Sequence, residues 1–195
     1  MGKRRAVLLD RDGVINDHAL DYVTSWEQFR LMPDALEALR RLHQAGWLVL
    51  VATNQSAVGR GMMTEAELEG IHSRMLALVE QGGGRIERVF CCPHGPDEGC
   101  SCRKPKPGLL LEAARECDLD LASCYLVGDS ARDIAAGQAV GSTTILVEGV
   151  DAIRAREHLQ RLERPPDFLA TNLAAAVDVI LRVESDQSSA STRSG

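Results

Sequence analysis

No stretch of this chain approaches the roughly 20 consecutive apolar residues that a membrane-spanning helix requires. Its apolar runs, such as WLVLVA at 47–52, are strand-sized. The opening MGKRRAVLLD carries basic residues, but its apolar run stops at Asp10, too soon for a signal-peptide core. A basic excess is missing too: Lys and Arg number 22 against 28 Asp and Glu, for a formal net charge of -6. Proteins that bind nucleic acid normally present a basic face to the phosphates, so that class is set aside. Any anionic substrate has to be captured by a local positive site. Internal repeats and a composition break that would mark a second domain are also lacking. With 195 residues, 45% of them hydrophobic, the chain can bury one core. These absences predict a cytoplasmic protein whose cysteines stay reduced, with no membrane partner. No surface calls for a second copy, so a monomer is expected.

What is present is an alternation. AVLL at 6–9 is a short continuous apolar run that breaks into the polar loop DRDGVIND, and PDALEALRRLHQAG follows with Leu36, Leu39 and Leu42 at helical spacing. WLVLVA then breaks into TNQSAVGRG. Thr64 and Glu67 form a capping-box pattern that opens a helix through about Glu80. Further strands are predicted over Ile86 to Cys91, Tyr125 to Val127 and Thr143 to Val147, with helices from Pro107 and over Ile134 to Val140. Asp151 to Arg164 reads as helical, Asp167 to Ala170 as a short edge strand, and Asn172 as the cap of a last helix reaching about Val183. The expected fold class is α/β, a three-layer, Rossmann-like parallel sheet. Residues 1–183 would form one domain, with the serine-rich 184–195 a disordered tail. No long insertion offers a large cap domain.

In such a sheet, ligands bind where strands end at their carboxyl edge. The loops at that edge contain Asp10, Asp12, Thr53, Asn54, Arg103, Lys104, Asp129 and Asp133. Paired carboxylates such as Asp10 and Asp12 can share a divalent cation, or divide the roles of nucleophile and proton donor. A lone DxD is commonly a solvated turn, but this pair has company. Mg²⁺ prefers oxygen ligands and keeps several waters, so Asp10, Asp129 and a backbone carbonyl would suffice. Thr53 and amides near Asn54 could donate to phosphate oxygens, and Lys104 could supply a fixed positive charge. Carboxylates, hydroxyl, cation and ammonium together specify phosphoryl transfer.

Four of the six cysteines crowd into CCPHGPDEGCSC at 91–102. Cys92 and His94, then Cys100 and Cys102, make a closed tetrahedral Zn²⁺ set with no position left for water, so this zinc is expected to be structural. Cys91 would point away from Cys92 on a strand and stay out of the set. Cys117 and Cys124 read as core residues.

The ordered set LLDRDGVIN, VATNQS, CRKPKPG and VGDSARDIAAG resembles the haloacid dehalogenase superfamily of aspartate-nucleophile phosphatases over nearly all of Ala6 to Val147. Within it, DRDGVIN, TNQS, the Cys/His loop and CRKPxPG resemble the D-glycero-D-manno-heptose-1,7-bisphosphate 7-phosphatases, a pattern shared with histidinol-phosphate phosphatases. The resemblance implies a Mg²⁺-dependent phosphoric monoester hydrolase acting on a small phosphorylated sugar, in bacterial ADP-heptose and lipopolysaccharide core synthesis. It implies that Asp10 attacks phosphorus, that Asp12 serves as general acid and base, and that Mg²⁺ is bound by Asp10, Asp129 and the Asp12 carbonyl. Thr53 and Lys104 would hold the phosphate, with Lys106 as the competitor of Lys104, and Arg103 would meet the substrate's other phosphate. Asp17, His18, Asp21 and Tyr22, with Asn54, Gln55 and Ser56, would contact substrate. Asp133 would assist the metal or cap a helix. Ser130 stands where relatives often carry a lysine, and Arg60 and Arg132 read as surface charges. The alternatives are histidinol-phosphate phosphatase and a zinc-stabilised binding module without catalysis.

Overall fold

The run AVLL becomes a strand whose four residues are all fully buried, which requires helices on both sides of it. A computed structural model describes residues 3–17, 22–148, 159–160 and 162–192, with residues 187–192 described by backbone alone. In β1 (Ala6–Leu9), Val7 and Leu9 enter one core while Ala6 and Leu8 enter the other. β2 (Leu48–Asn54) divides in the same way, with Val49 and Val51 on one face and Leu50 and Ala52 on the other. This is the period-two alternation of a strand, with both faces apolar.

Four more strands, β3 (Arg88–Cys92), β4 (Tyr125–Gly128), β5 (Thr143–Val147) and β6 (Phe168–Ala170), complete a six-stranded sheet. Its order is β3-β2-β1-β4-β5-β6 and every pairing is parallel. The first core is closed by α1 (Ala35–Gln44), α3 (Glu65–Gln81) and α6 (Leu173–Thr192), through residues such as Leu39, Met75 and Val177. The second is closed by α4 (Gly108–Cys117) with Leu109, Leu110 and Ala113, and by Ala136 of α5 (Ala131–Ala139). A one-turn helix, α2 (Ser56–Gly59), follows β2 directly. The expected three-layer α/β architecture is the one observed. Among the described residues no cap domain is inserted.

Chain order fixes where a ligand can go. From β1 the chain moves outward through β2 and β3, then returns to place β4 on the opposite side of β1. Leu9 is therefore level with Val51 on one side and Val127 on the other. The loops after β1, β2 and β4 part around this reversal and leave a crevice at the strands' carboxyl ends.

Local signals behave as their chemistry dictates. Thr64 N–H donates to Glu67 Oε2 at 2.7 Å and Glu67 N–H to Thr64 Oγ1 at 3.2 Å, the reciprocal capping box. Asn172 Oδ1 accepts from Ala175 N–H at 2.9 Å and caps α6. Several boundaries differ from expectation; α5, for example, starts at Ala131 rather than Ile134. β3 starts at Arg88 rather than Ile86, because its pairing with β2 begins at Leu50 opposite Arg88. The last helix does not stop near Val183 but continues to Thr192. Neither proline nor glycine interrupts it before Gly195, and Glu184 is held by Arg5 and by Tyr125 Oη at 3.1 Å. Most of the helix expected over Asp151 to Arg164 lies outside the described residues, as do 193–195.

Gly137 lets α5 lie close on the sheet: a Cβ there would sit 2.7 Å from Thr144 Cγ2 and 2.9 Å from Leu126 Cδ2. Gly137→Val should therefore lower the unfolding free energy by about 1–3 kcal/mol, as overpacking does. Urea denaturation of the two proteins checks it, and equal midpoints would contradict this packing.

Candidate active site

Asp10 is the first residue past β1, and its N–H still donates to Val127 O of β4 at 2.9 Å. Sheet pairing thus sets the position of its backbone. Its Oδ1 accepts from Arg11 N–H at 2.7 Å and lies 3.1 Å from Lys104 Nζ. That ammonium also donates to Ala52 O at 2.6 Å and pairs with Asp133 Oδ1 at 2.5 Å. Lys104 is fully buried, and its main chain is clamped by Asn54, which accepts from Lys104 N–H and donates to Lys104 O, both at 3.1 Å. Burial disfavours the ammonium form, but Asp10 and Asp133 outweigh it and raise the Lys104 pKa above the ordinary value.

Asp129 follows β4, and Asp133 lies in the first turn of α5, where it accepts from Ser130 N–H at 3.1 Å and from the Ser130 hydroxyl. Ligand atoms of Asp10, Asp129 and Asp133 all lie within 4.8 Å of one another. Gly13, at φ +82°, makes room for this: a Cβ at that position would stand 2.1 Å from Asp129 Oδ2. Burial pushes Asp10 up to about 6; Lys104 opposes the rise, and Asp133 and Asp12 add to it.

Asp12 sits in a separate cradle. Arg11 Nη2 donates to Asp12 Oδ1 at 2.8 Å and to Oδ2 at 3.0 Å, Asn16 Nδ2 donates to Oδ1 at 2.9 Å, and Gln55 Nε2 donates to Oδ2 at 2.6 Å. Burial works against its ionisation, but the Arg11 charge and these donors prevail and hold the carboxyl below its ordinary value. Arg11 is itself fully buried, with Nη1 3.2 Å from His72 Nε2 of α3. Burial, then the Arg11 charge, holds His72 down to about 4, so the neutral ring is the acceptor.

Asp10, Asp12, Asn54, Gln55, Ser56, Asp129 and Asp133 line a cavity of about 410 Å³, together with Tyr22, Arg60, Arg103, Ser130 and Arg132. Four carboxylates face the buried cations Lys104 and Arg11. One divalent cation would balance the remainder, and the oxygen donors of Asp10, Asp129 and Asp133 suit Mg²⁺. Such a floor can receive a phosphoryl group and place a carboxylate nucleophile beneath it.

Beside the cavity, Cys92 Sγ lies 3.7 Å from Cys100 Sγ, 3.1 Å from Cys102 Sγ and 3.6 Å from His94 Nδ1. His94 Nδ1 is 3.3 Å from Cys102 Sγ. A tetrahedron with Zn–S bonds of about 2.3 Å has edges of about 3.8 Å. The Cys92–Cys100 separation matches that edge, the Cys92–Cys102 separation is shorter, and all four ligand atoms lie within 4.8 Å of one another, so the group could hold one metal ion. Cys91 packs against the other core, as the strand alternation predicts, and burial pushes its thiol up to about 12.

A model described as haloacid dehalogenase-like hydrolase matches residues 2–138. The chain belongs to that family. A second, HAD-hydrolase-like model matches residues 101–176. The D-glycero-beta-D-manno-heptose-1,7-bisphosphate 7-phosphatase of Pseudomonas aeruginosa is 44% identical over 77% of this chain and 85% of its own length. The D-glycero-D-manno-heptose-1,7-bisphosphate 7-phosphatase of Thermosynechococcus vestitus is 36% identical over 91% of this chain and 95% of its own. Among solved structures, the D,D-heptose 1,7-bisphosphate phosphatase from B. bronchiseptica, complexed with magnesium and phosphate, matches with a TM-score of 0.84 at 40% identity, over 91% of this chain and 98% of that one. The expected enzyme class, a phosphoric monoester hydrolase, agrees with these relatives.

Within this haloacid dehalogenase-like site, several expected residues converge and others do not. Asp10, Asp12, Asn54, Gln55, Ser56, Tyr22, Arg103 and Asp129 line the cavity. Thr53 and Lys104 are buried beneath it, with Thr53 Oγ1 accepting from Gln55 Nε2 at 3.0 Å. Lys106, the alternative to Lys104, donates instead to Cys100 O at 2.6 Å on the surface. Asp17 is not among the lining residues, and its N–H donates to Arg30 O at 2.7 Å. His18 and Asp21 lie outside the described residues. Sequence reading missed Arg11 and His72 entirely, and it left Arg60 and Arg132 outside the site although both line the cavity. No helix among the described residues is long and apolar enough to cross a membrane.

His72 yields a signed pH effect. Its folded pKa, about 4, lies below the ordinary 6.5, so on acidification the unfolded chain takes up a proton that the folded chain refuses. This contribution is intact above about 6.5 and is lost as pH falls toward 4. His72→Gln, which keeps an acceptor for Arg11, should flatten the dependence of unfolding free energy on pH in that window. Denaturant titrations at several pH values check this, and parallel curves would count against it.

Proposed function

We propose that this chain hydrolyses the 7-phosphate of D-glycero-D-manno-heptose 1,7-bisphosphate through an aspartyl-phosphate on Asp10. The observation that carries the reading is the Asp10 carboxylate held between a buried ammonium and a carboxylate cluster at the floor of the cleft. The names of its relatives, at up to 45% identity, point to the same substrate. Asp10 attacks phosphorus in line with the leaving sugar oxygen. Asp12, which must enter each cycle protonated, gives that oxygen its proton and then regains one from the water that cleaves the acyl phosphate. Gln55, Asn16 and Arg11 orient the Asp12 carboxylate for the second half of this exchange. Lys104 and Thr53, with amides at Asn54, meet the phosphate oxygens from below. Asp10, Asp129 and the Asp12 carbonyl would hold Mg²⁺, with Asp133 close enough to take part. When bound, this ion offsets the repulsion between the nucleophile and the phosphate dianion.

The histidinol-phosphate alternative fits less well, because that substrate carries an amine and the mouth of the cleft carries Arg60, Arg103 and Arg132. The binding-module alternative does not account for the retention of Asp10, Asp12, Thr53, Lys104 and Asp129 together. Phosphate release assayed with Mg²⁺ tests all three readings. Asp10→Asn should abolish turnover, and the parent protein should favour the heptose bisphosphate over histidinol phosphate in kcat/KM. Undiminished release by the variant would remove the nucleophile, and the reverse preference would remove the substrate.

We further assign Cys92, His94, Cys100 and Cys102 to a structural Zn²⁺. Cys100→Ser should cut zinc content well below one equivalent and lower stability by about 2 kcal/mol or more. It should also reduce activity, because the cluster ends one residue before Arg103. Full zinc content with unchanged melting would contradict the assignment.

A further inference from the structure

Helix α3 buries five side chains: Leu68, Ile71, Met75 and Val79 are apolar, and the fifth is His72. A helix face packed on a sheet is ordinarily apolar, because a buried imidazole has to regain the hydrogen bonds it gave up to water. His72 regains one from Arg11, whose Nη1 lies 3.2 Å from its Nε2. A guanidinium has only donors, so Nε2 accepts and the proton of the neutral ring sits on Nδ1. Neither His72 nor Arg11 is among the residues lining the cavity, so neither meets substrate directly. Asp12 does line it, and Arg11 grips Asp12.

The Arg11 guanidinium is bonded on two edges. Nε at 3.1 Å and Nη2 at 2.8 Å both donate to Asp12 Oδ1, and Nη2 also donates to Oδ2 at 3.0 Å. On the far side, Nη1 meets His72. A planar fork held by its carboxylate alone can pivot with that carboxylate, whereas a further bond to a helix locked in the core stops the pivot. Ile71 and Met75 on either side of His72 are buried and lock α3 there. Contacts therefore run without a break from the core through His72 and Arg11 to the carboxyl group at the cavity. We propose that His72 is a positioning residue: by accepting from Arg11 Nη1 it holds the guanidinium, and through it aims the Asp12 carboxyl at the leaving oxygen. The proposal rests on the role given to Asp12 above and adds no covalent step to it.

A histidine that merely filled the core would affect every substrate alike. A residue that aims a proton donor would not. A sugar alkoxide leaves only with a proton, whereas p-nitrophenolate leaves without one, and kcat/KM covers the steps up to this departure. The readout is the ratio of kcat/KM for heptose 1,7-bisphosphate to that for p-nitrophenyl phosphate, assayed with Mg²⁺ on the full chain. Phenyl phosphate against p-nitrophenyl phosphate gives a second ratio that does not depend on the sugar. His72→Leu and His72→Asn, which remove the acceptor or withdraw it from reach, should lower the first ratio about tenfold, a part of what a general acid contributes, because Asn16 and Gln55 still hold Asp12. The second ratio should fall in the same direction. His72→Gln, whose carboxamide oxygen reaches about as far as Nε2, should recover most of the loss. Asp12→Asn should lower both ratios further than any His72 variant. If His72→Leu does not fold, the Asn and Gln variants decide. Parent-like ratios in the Leu and Asn variants, with Asp12→Asn lowering them, would overturn the role of His72 and leave that of Asp12 in place. An equal loss in His72→Gln would assign the effect to the ring's packing and overturn it as well. Unchanged ratios in Asp12→Asn would remove the proton donor itself, and the role of His72 with it.

Discussion

One buried ammonium ties the catalytic crevice together. Lys104 Nζ touches Asp10 at the end of β1, Ala52 O in β2 and Asp133 in α5, so its three partners come from three separate elements. Burying a lone ammonium costs several kcal/mol, and removing a partner from such a contact leaves a charge without compensation. The geometry is therefore strongly mutually dependent. If β1 or β4 shifted in register, Asp10 would leave Lys104; if α5 moved off the sheet, Asp133 would leave with it. The close approach at Gly137 and the packing of Ala136 keep α5 in place.

Asp10 and Asp12 are two residues apart, but their environments drive them in opposite directions. Asp10 is buried and shares its space with other carboxylates, which raises its pKa to about 6. Asp12 is held by Arg11, Asn16 and Gln55, which favour its carboxylate form. Separating two like groups in this manner is how one crevice supports two roles in acid–base and nucleophilic chemistry. Arg11 does this from below: its own side chain is sealed between the β1 loop and α3, where neutral His72 accepts from its Nη1. Helix α3 thereby helps orient a carboxylate that it does not touch.

The strands were legible because fully buried parallel strands leave continuous apolar runs, and AVLL and WLVLVA could hardly be anything else. Their polar exits were legible as well, since topology places each exit at the same edge. The residues that escaped notice share one property, which is that their meaning depends on what folds over them. Arg11 between two aspartates reads as a solvated turn residue, and only the arrival of α3 makes it a buried cation. Asp133 was read as either a helix cap or a metal helper. It caps Ser130 with one oxygen and faces Lys104 with the other, a combination that needs α5 and the loop before α4 in one view. Arg60 and Arg132 look like ordinary surface charges until their segments meet at one cavity. The helix past Val183 was missed for a different reason: serine-rich composition lowers helix propensity but does not stop a helix that is already anchored through Glu184.

The cysteine cluster and the ammonium are parts of one loop. Cys102 is two residues from Lys104, and Arg103 between them is tethered to His94 O. Asn54 grips the Lys104 backbone on both its N–H and its carbonyl, while Gln55 N–H donates to Cys92 O at 2.7 Å. The loop after β2 therefore bonds both to the cluster and to the lysine. A short surface loop of glycines and prolines has little apolar area with which to hold an ammonium inside a core. Four ligands drawn to one metal would supply that constraint by another means. The zinc assigned to this loop above would then have a physical task distinct from the chemistry: it would let a buried charge be presented from a segment that could not otherwise keep it there.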